Sequence, residues 1–426
     1  MANLLHKKLT LGPPSNRELT CTSRSSSELL DVLNQRPEIS QYVGEITLTN
    51  HGPLYTWLDR SATHWLESDE SLEILFPLLP KLHRLAFVGC DGWEFGYNRF
   101  VYKGFSTSVR LAIDTVYPRL TSLKLIYVAG LPIDIFYYLP PTLKEFILHG
   151  PSWDFSSFPR LPPSFASVKS ANLKACQLER LCLEVQNIDA AMMIASVTDE
   201  HYGAGITQLR DLHLDFMEET DHRFSKRILD YVRKTLRNLE FTPANLVVTG
   251  STPEDIEFNM LEKLESFRVT LPIIIFDVPE IFEHMADTVN WLVEDALGRL
   301  SLGSSKATMK TLHLNLLIGF REVEMEDELE DEEIVMGMLD IDQGFSSWSA
   351  LDRLMGEDNR FPDLERVIVD LHLSPAIEET YMVSFAEALR QNLPILKKRK
   401  LLTIRQTPKE SKCIMESEQS VTMAHC

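Results

Sequence analysis

Pro118-Arg119-Leu120-Thr121-Ser122-Leu123-Lys124-Leu125 decides how this chain folds, because its apolar spacing, Leu-x-x-Leu-x-Leu, returns along almost the whole sequence. In one register the matches are Val43-Ile46-Leu48, Leu82-Leu85-Phe87, Leu120-Leu123-Leu125, Leu143-Phe146-Leu148, Leu178-Leu181-Leu183, Leu209-Leu212-Leu214, Leu236-Leu239-Phe241, Leu264-Phe267-Val269, Met309-Leu312-Leu314 and Leu364-Val367-Val369. One such match means little in a chain that is 44% hydrophobic, but ten in series define a repeat. Four of them share a Pro-x-Leu lead-in, at Pro80, Pro118, Pro141 and Pro362. Proline cannot donate to a sheet ladder and is tolerated at the first residue of a strand, so each is expected to open a short strand.

Side chains alternate along a strand, so the last two apolar residues of each motif point into the stack and the residue between them points outward. Leu123 and Leu125 face inward around Lys124, and Leu212 and Leu214 around His213. Successive motifs lie about 20 to about 55 residues apart, beyond the roughly 20–29 of a regular leucine-rich repeat, so insertions fill the difference. Helical periodicity is legible in three gaps. Residues 221–236 align Phe224, Ile228, Leu229 and Val232; residues 279–300 align Phe282, Met285, Val289, Leu292 and Leu297. Residues 374–393 open with Ser-Pro and align Ile377, Tyr381, Phe385 and Leu389. The expected fold class is α/β: an irregular leucine-rich-repeat-like solenoid with a parallel concave sheet and helices and loops on the convex side.

A solenoid adds core one repeat at a time, so residues 1–406 read as one elongated domain. A candidate flexible point lies at 161–164, an acidic insertion at 322–333, and a disordered tail at 407–426. No window reaches the roughly 18 apolar residues of a membrane span, and the amino terminus lacks the apolar core of a secretory signal. The six cysteines are scattered, without a C-x-x-C pair. These features imply an intracellular protein, with cytoplasm and nucleus both open. Cys90 stands where many repeats carry Asn or Cys at the end of a strand.

The formal charge of −20 argues against nucleic-acid binding, which rests on clustered Lys and Arg neutralising phosphates. The block at 322–333 reads as a solvated surface loop, with docking of a basic partner as its functional alternative. Asp340-Ile-Asp342-Gln-Gly344 begins like a calcium loop, but its Gly is misplaced and no Glu closes it. The one basic cluster, Lys397-Lys398-Arg399-Lys400, is either a nuclear localisation signal or the lead-in to a last strand at Leu401-Leu402-Thr403-Ile404.

Catalytic motifs are missing: no G-x-S-x-G, no phosphate loop, no H-E-x-x-H and no glycine-rich dinucleotide turn. No cysteine, histidine and carboxylate spacing selects a metal or an acid–base couple, so the chain reads as neither an enzyme nor a cofactor protein. The outward positions are Lys124, Ile147, Cys182, His213, Glu240, Arg268, His313 and Ile368. Among them Lys124, His213, Glu240, Arg268 and His313 are candidate protein-binding residues. Trp93 and Tyr97, in an aromatic loop at 91–100, are added because such side chains anchor interfaces, with capping of the repeat's own core edge as the equal alternative; Trp153 and Phe155 read as the edge of the core.

Three segments carry a family resemblance: Leu4-Leu5-His6-Lys7-Lys8-Leu9-Thr10-Leu11, Ser27-Glu28-Leu29-Leu30-Asp31-Val32-Leu33-Asn34, and Ile39-Ser40-Gln41-Tyr42-Val43-Gly44-Glu45-Ile46-Thr47-Leu48. Their order resembles the start of the repeat region in fungal F-box proteins with degenerate leucine-rich repeats. In outline the resemblance extends to about Gln406. It implies a substrate-recognition region of a ubiquitin ligase subunit. The family's F-box would lie before Leu4 and is absent from this chain, so a Skp-type adaptor is an expected partner only through an upstream F-box. The resulting expectation is a non-enzymatic scaffold with an unknown protein partner on the concave face and no nucleic acid or membrane partner. The alternative is a repeat-fold receptor for a small molecule or peptide, with a deep apolar pocket.

Overall fold

The computed structural model describes residues 8–11, 25–49, 69–89, 100–101, 105–131, 139–150, 176–185, 205–216, 222–243, 256–275, 289–303, 308–320, 346–357, 360–373 and 379–406. Cys90, Trp93, Tyr97, Trp153, Phe155, the flexible point at 161–164, the acidic insertion, the calcium-like segment and the tail lie outside them. The chain forms two compact units, Met1–Gln208 and Leu209–Cys426.

The first unit contains strands β1 Lys8–Leu11, β2 Glu45–Thr49, β3 Arg84–Val88, β4 Phe100–Val101, β5 Ser122–Ile126, β6 Val128–Ala129, β7 Glu145–His149 and β8 Arg180–Val185. Strands β1, β2, β3, β5, β7 and β8 are neighbours in that order, all parallel, while β4 and β6 make a separate parallel pair. The second unit contains β9 Asp211–Phe216, β10 Asn238–Thr242, β11 Ser266–Ile275, β12 Thr311–Phe320, β13 Arg366–Leu373 and β14 Leu402–Gln406, again parallel and in chain order. Within each unit this sequential parallel order is consistent with a leucine-rich-repeat-like stack.

The ten sequence motifs account for every strand from β2 to β13 except the short β4 and β6. Their last two apolar residues sit in the strand, and register aligns them: Leu85, Leu123, Phe146 and Leu181 pair across four neighbouring strands, as do Leu212, Leu239, Phe267, Leu312 and Val367 across five. The first motif residue precedes the strand and is equally buried, Leu82, Leu120, Leu143, Leu209, Leu236 and Leu264 all at 0% exposure.

One hydrogen-bond pattern recurs, among the described residues, at the entrances of β2, β3, β5, β7, β9, β10, β11 and β12. The carbonyl just before a strand accepts two successive N–H groups from the next repeat: Gly44 from His83 and Arg84, Thr121 from Lys144 and Glu145, Arg237 from Glu265 and Ser266, Lys310 from Glu365 and Arg366. These shared bonds fix the register before the ladder begins.

The lead-in prolines correct one expectation, because none opens a strand. Each occupies the second position of a tight turn closed by the first motif residue: Leu82 N–H donates to Leu79 O, Leu120 to Tyr117 O, Leu143 to Pro140 O and Leu364 to Phe361 O, at 2.9–3.3 Å. Proline's fixed φ suits that position, which needs no N–H, and the turn swings the motif's first apolar residue beneath the sheet.

Helices fill several gaps. Ser25 caps the helix Ser26–Gln35 in a reciprocal box with Glu28, and Ser106 caps Thr107–Val116 through Val109 N–H. The expected helix at 221–236 spans His222–Val232, burying Ile228, Leu229 and Val232; the side chain of Phe224 lies outside the described set. That at 279–300 includes a π-helical stretch, Trp291–Leu297, running into Gly298–Leu302, with Val289, Leu292 and Leu297 buried. Phe282 and Met285 fall outside the described residues. That at 374–393 spans Glu379–Asn392 with Phe385 and Leu389 buried; Ile377 and the side chain of Tyr381 lie outside the described set. Helices Thr107–Val116 and Ser346–Gly356 carry no expectation from the sequence.

Leu125 and Leu212 are 6% and 2% exposed, so Leu125→Ala and Leu212→Ala should each destabilise the chain by about 2–5 kcal/mol in urea unfolding. Losses below about 0.5 kcal/mol would place these side chains in solvent.

Candidate functional site

The face of the second unit's sheet opposite the leucines is polar. Register aligns His213, Glu240, Arg268, His313, Ile368 and Thr403 in one row, one residue from each strand β9 to β14. Two residues further along, on the same face, stand Asp215, Thr242, Thr270, Asn315, Asp370 and Arg405. Four of the candidate binding residues are thus brought together. Glu240 lies between His213 and Arg268, with its carboxylate 3.7 Å from His213 Nδ1 and 3.6 Å from Arg268 Nη1. Asp370 accepts from His313 Nε2 at 2.5 Å and forms an ion pair with Arg405, whose Nε lies 2.9 Å from Oδ1. Asn315 Nδ2 donates to Thr270 Oγ1 at 3.2 Å.

Burial and neighbouring charge set the ionisation of this face. Burial pushes the His213 imidazole below its usual range, Glu240 opposes the shift and Arg268 adds to it. His372, on β13, moves the same way through burial, with Asp370 opposing and Arg268 and His313 reinforcing. Burial raises Asp370, but the His313 hydrogen bond and the charges of His313 and Arg405 outweigh it and hold the carboxyl below the ordinary range. Asp215 is pushed up to about 7, chiefly by burial and also by Glu240, against a hydrogen bond from Thr242.

The register is as the sequence predicts, but the solvent exposure is not. His213 is 2% exposed and neither ring nitrogen makes a hydrogen bond; Glu240 is 9% exposed. In the first unit Lys124 is 8% exposed, and Ile147 and Cys182 in its row are buried. Parallel strands stand about 4.8 Å apart, so the long side chains of a row pack against one another and withdraw each other from water. Arg268 and His313 keep partial exposure.

The first unit's polar face carries a charge ladder. Lys8 pairs with Glu45, Glu45 with Arg84, and Glu145 takes Arg84 at 2.6 Å and Arg180 at 3.4 Å. Burial lowers the Lys124 ammonium while Glu145 and Glu45 resist. Burial raises Glu145, but the Ser122 hydroxyl, Lys124 and Arg84 leave it below its usual range. At the strand ends Tyr127 hydroxyl lies 2.9 Å from His149 Nε2, and His149 Nδ1 pairs with Glu184. Tyr127 takes φ +51°, and its ring lies 2.6 Å from where a Cβ on Gly150 would stand. Gly150 itself has φ +53°, so glycine is required there on both counts.

Several of these residues escaped the sequence reading. Asp215, Asp370, Arg405 and His372 lie two or four positions beyond the row that was named; extending the alternation past the last motif leucine would have found them. The Tyr127–His149–Glu184 contact joins three repeats and has no local signal.

Among the described residues no group of three His, Cys, Asp or Glu side chains is placed to hold a metal ion. Burial pushes the Cys176 thiol up to about 12, so it is not a nucleophile. A cavity of about 450 Å³ in the second unit is lined by Arg233, Asn259, Met260, Glu262 and Lys263, not by the apolar walls of a ligand pocket. In the basic cluster, Arg399 donates to Gly356 O at 2.8 Å, and Lys397 and Lys398 end a short helix leading into β14. No described helix is long and apolar enough to cross a membrane.

No protein-family model matches the chain, and no curated protein matches it. Among solved structures it is similar to the leucine-rich repeat-containing protein LegL7 from Legionella pneumophila, at 14% identity and a TM-score of 0.38, over 92% of this chain and 98% of that one. Similarity that low carries no functional argument.

The Asp215 shift has a sign that can be measured. A carboxyl whose folded pKa is raised binds its proton more tightly when folded, so stability falls as pH rises from about 4 to about 7. Asp215→Asn keeps an acceptor for Thr242 and removes the titration. Its melting temperature should exceed that of the parent at pH 8 and match it only below about pH 4; a difference independent of pH would contradict the assignment.

Proposed function

We propose that this chain is a non-enzymatic protein-interaction scaffold whose contact surface is the polar sheet face of the second unit. One observation carries the reading: successive strands align Arg268 and His313, both partly exposed, beside the buried His213 and Glu240, with the Asp370–Arg405 pair in the next row and Arg405 exposed. Charged groups of both signs at fixed strand spacing give specificity by pairing with a complementary surface and opposing a mismatched one. On this reading the sheet is the concave side of a leucine-rich-repeat-like stack and the helices and loops form its convex side. Following the sequence resemblance, its role is that of a substrate-recognition region in an F-box ubiquitin ligase subunit. A Skp-type adaptor would be a partner only if the full-length protein carries an F-box upstream; the recognised protein would be engaged through this face.

Arg405 is exposed and Arg268 partly so, which lets them be changed without emptying the core. Affinity purification with quantitative mass spectrometry should recover at least one protein with the parent chain and with the control Glu294→Lys. Its recovery should fall by about tenfold or more with Arg268→Ala/Arg405→Glu. Identical recovery with all three chains would overturn the reading.

A further inference from the structure

We propose that the helical elements of the first unit carry a second docking surface, which accepts a basic amphipathic helix from a partner protein. Four large hydrophobic side chains are left in solvent there: Tyr42 at 45% exposure, Ile74 at 57%, Leu78 at 41% and Leu111 at 47%. Scattered apolar residues need no explanation, but these fall on neighbouring elements. Tyr42 ends the 3-10 turn Pro37–Tyr42, which packs on the helix Ser26–Gln35; that helix packs on Ser71–Leu75, and Ser71–Leu75 with its extension Phe76–Leu78 packs on Thr107–Val116. Ile74 and Leu78 form an exposed apolar stripe over consecutive turns of the helix Ser71–Leu75 and its 3-10 extension, and Leu111 is exposed on the adjoining helix. The buried faces of these helices are already filled by Leu29, Leu33, Leu72, Leu75, Val109 and Ile113, so none of the four exposed side chains is needed for the unit's own core.

The charge around this stripe selects the occupant. Glu70 and Glu73 are exposed four residues and one residue before Ile74, and Glu38 is exposed on the same 3-10 turn as Tyr42. Glu28 and Asp31 are exposed on the first helix as well, against Arg36 and Lys81 as exposed cations. An apolar strip with an acidic margin is complementary to a helix with an apolar face flanked by Lys or Arg. The same margin opposes an anionic lipid surface. A second copy of this chain would bring like charges together. This surface belongs to the first unit and the polar face to the second, and its test does not depend on that reading.

The experiment uses the full chain and a fluorescein-labelled Leu/Lys amphipathic peptide of about five helical turns, with a Leu/Glu peptide of the same pattern as control. Fluorescence anisotropy should show binding of the Leu/Lys peptide only. Ile74→Ser/Leu78→Ser and Glu70→Lys/Glu73→Lys should each weaken it by about tenfold or more, and Leu302→Ser, at an exposed leucine of the second unit, should leave it unchanged. All of these positions are exposed, and circular dichroism checks that each variant keeps its fold. Equal binding by either double variant would overturn the proposal, as would equal loss in Leu302→Ser or binding of the Leu/Glu peptide. Dimerisation or vesicle binding that depends on Ile74 and Leu78, without peptide binding, would overturn it in favour of a second copy or a membrane.

Discussion

The interaction on which the rest of this structure depends is the carbonyl at most strand entrances, from β2 to β12, that accepts two N–H groups from the following repeat. A parallel ladder is set by register, and a slip of one residue would turn every motif leucine to the other face. The shared carbonyl forbids that slip at the point where the strand begins. Just before the entrance, the tight turn that holds the proline in four of the repeats places the first motif residue under the sheet, and the pleat sends the next two inward. Insertions of different length can then be tolerated, because the repeats joined in this way are locked at the entrance and not by the return path.

The same register creates the polar face. Once the leucines are inward, the intervening residues must align strand by strand on the other side. Their identities are free of core constraint, yet their neighbours bury them: His213, Lys124 and Glu240 are almost without solvent contact. Removing charges from water costs free energy unless partners answer them. Pairing answers it for Asp370, His313 and Arg405, and for Glu145 with its two arginines. His213 answers it by staying neutral.

Most of the strand scaffold was legible in the sequence, because Leu-x-x-Leu-x-Leu couples a two-residue pleat to a buried turn residue and tolerates little else. Even β14 was readable from Leu401-Leu402-Thr403-Ile404. The proline lead-ins were assigned to the wrong side of the turn, since proline at a strand's first residue and at a turn's second position leave the same local pattern. The short helices escaped for a different reason: Thr107–Val116 is only ten residues long, and its apolar stripe of Val109, Ala112, Ile113 and Val116 merges with the flanking motif. Exposure of the outward row was misjudged because alternation tells which face a side chain occupies and says nothing of how neighbours crowd it. Of the named site residues, His213, Glu240, Arg268 and His313 share one row, Lys124 belongs to the other unit, and Trp93 and Tyr97 lie outside the described residues.

Sequential, in-register parallel pairing is the central claim, and disulfide trapping tests it most directly. Asn238 and Ser266 are Cα partners on β10 and β11, and Thr311 is one strand further on. Adjacent strands lie about 4.8 Å apart, within the reach of a disulfide, whereas two strands span about 10 Å and exceed it. Under mild oxidation, Asn238→Cys/Ser266→Cys should form an intramolecular disulfide identified by peptide mass mapping, and Asn238→Cys/Thr311→Cys should not. A disulfide in the second pair with none in the first would contradict the strand order and the row of side chains built on it.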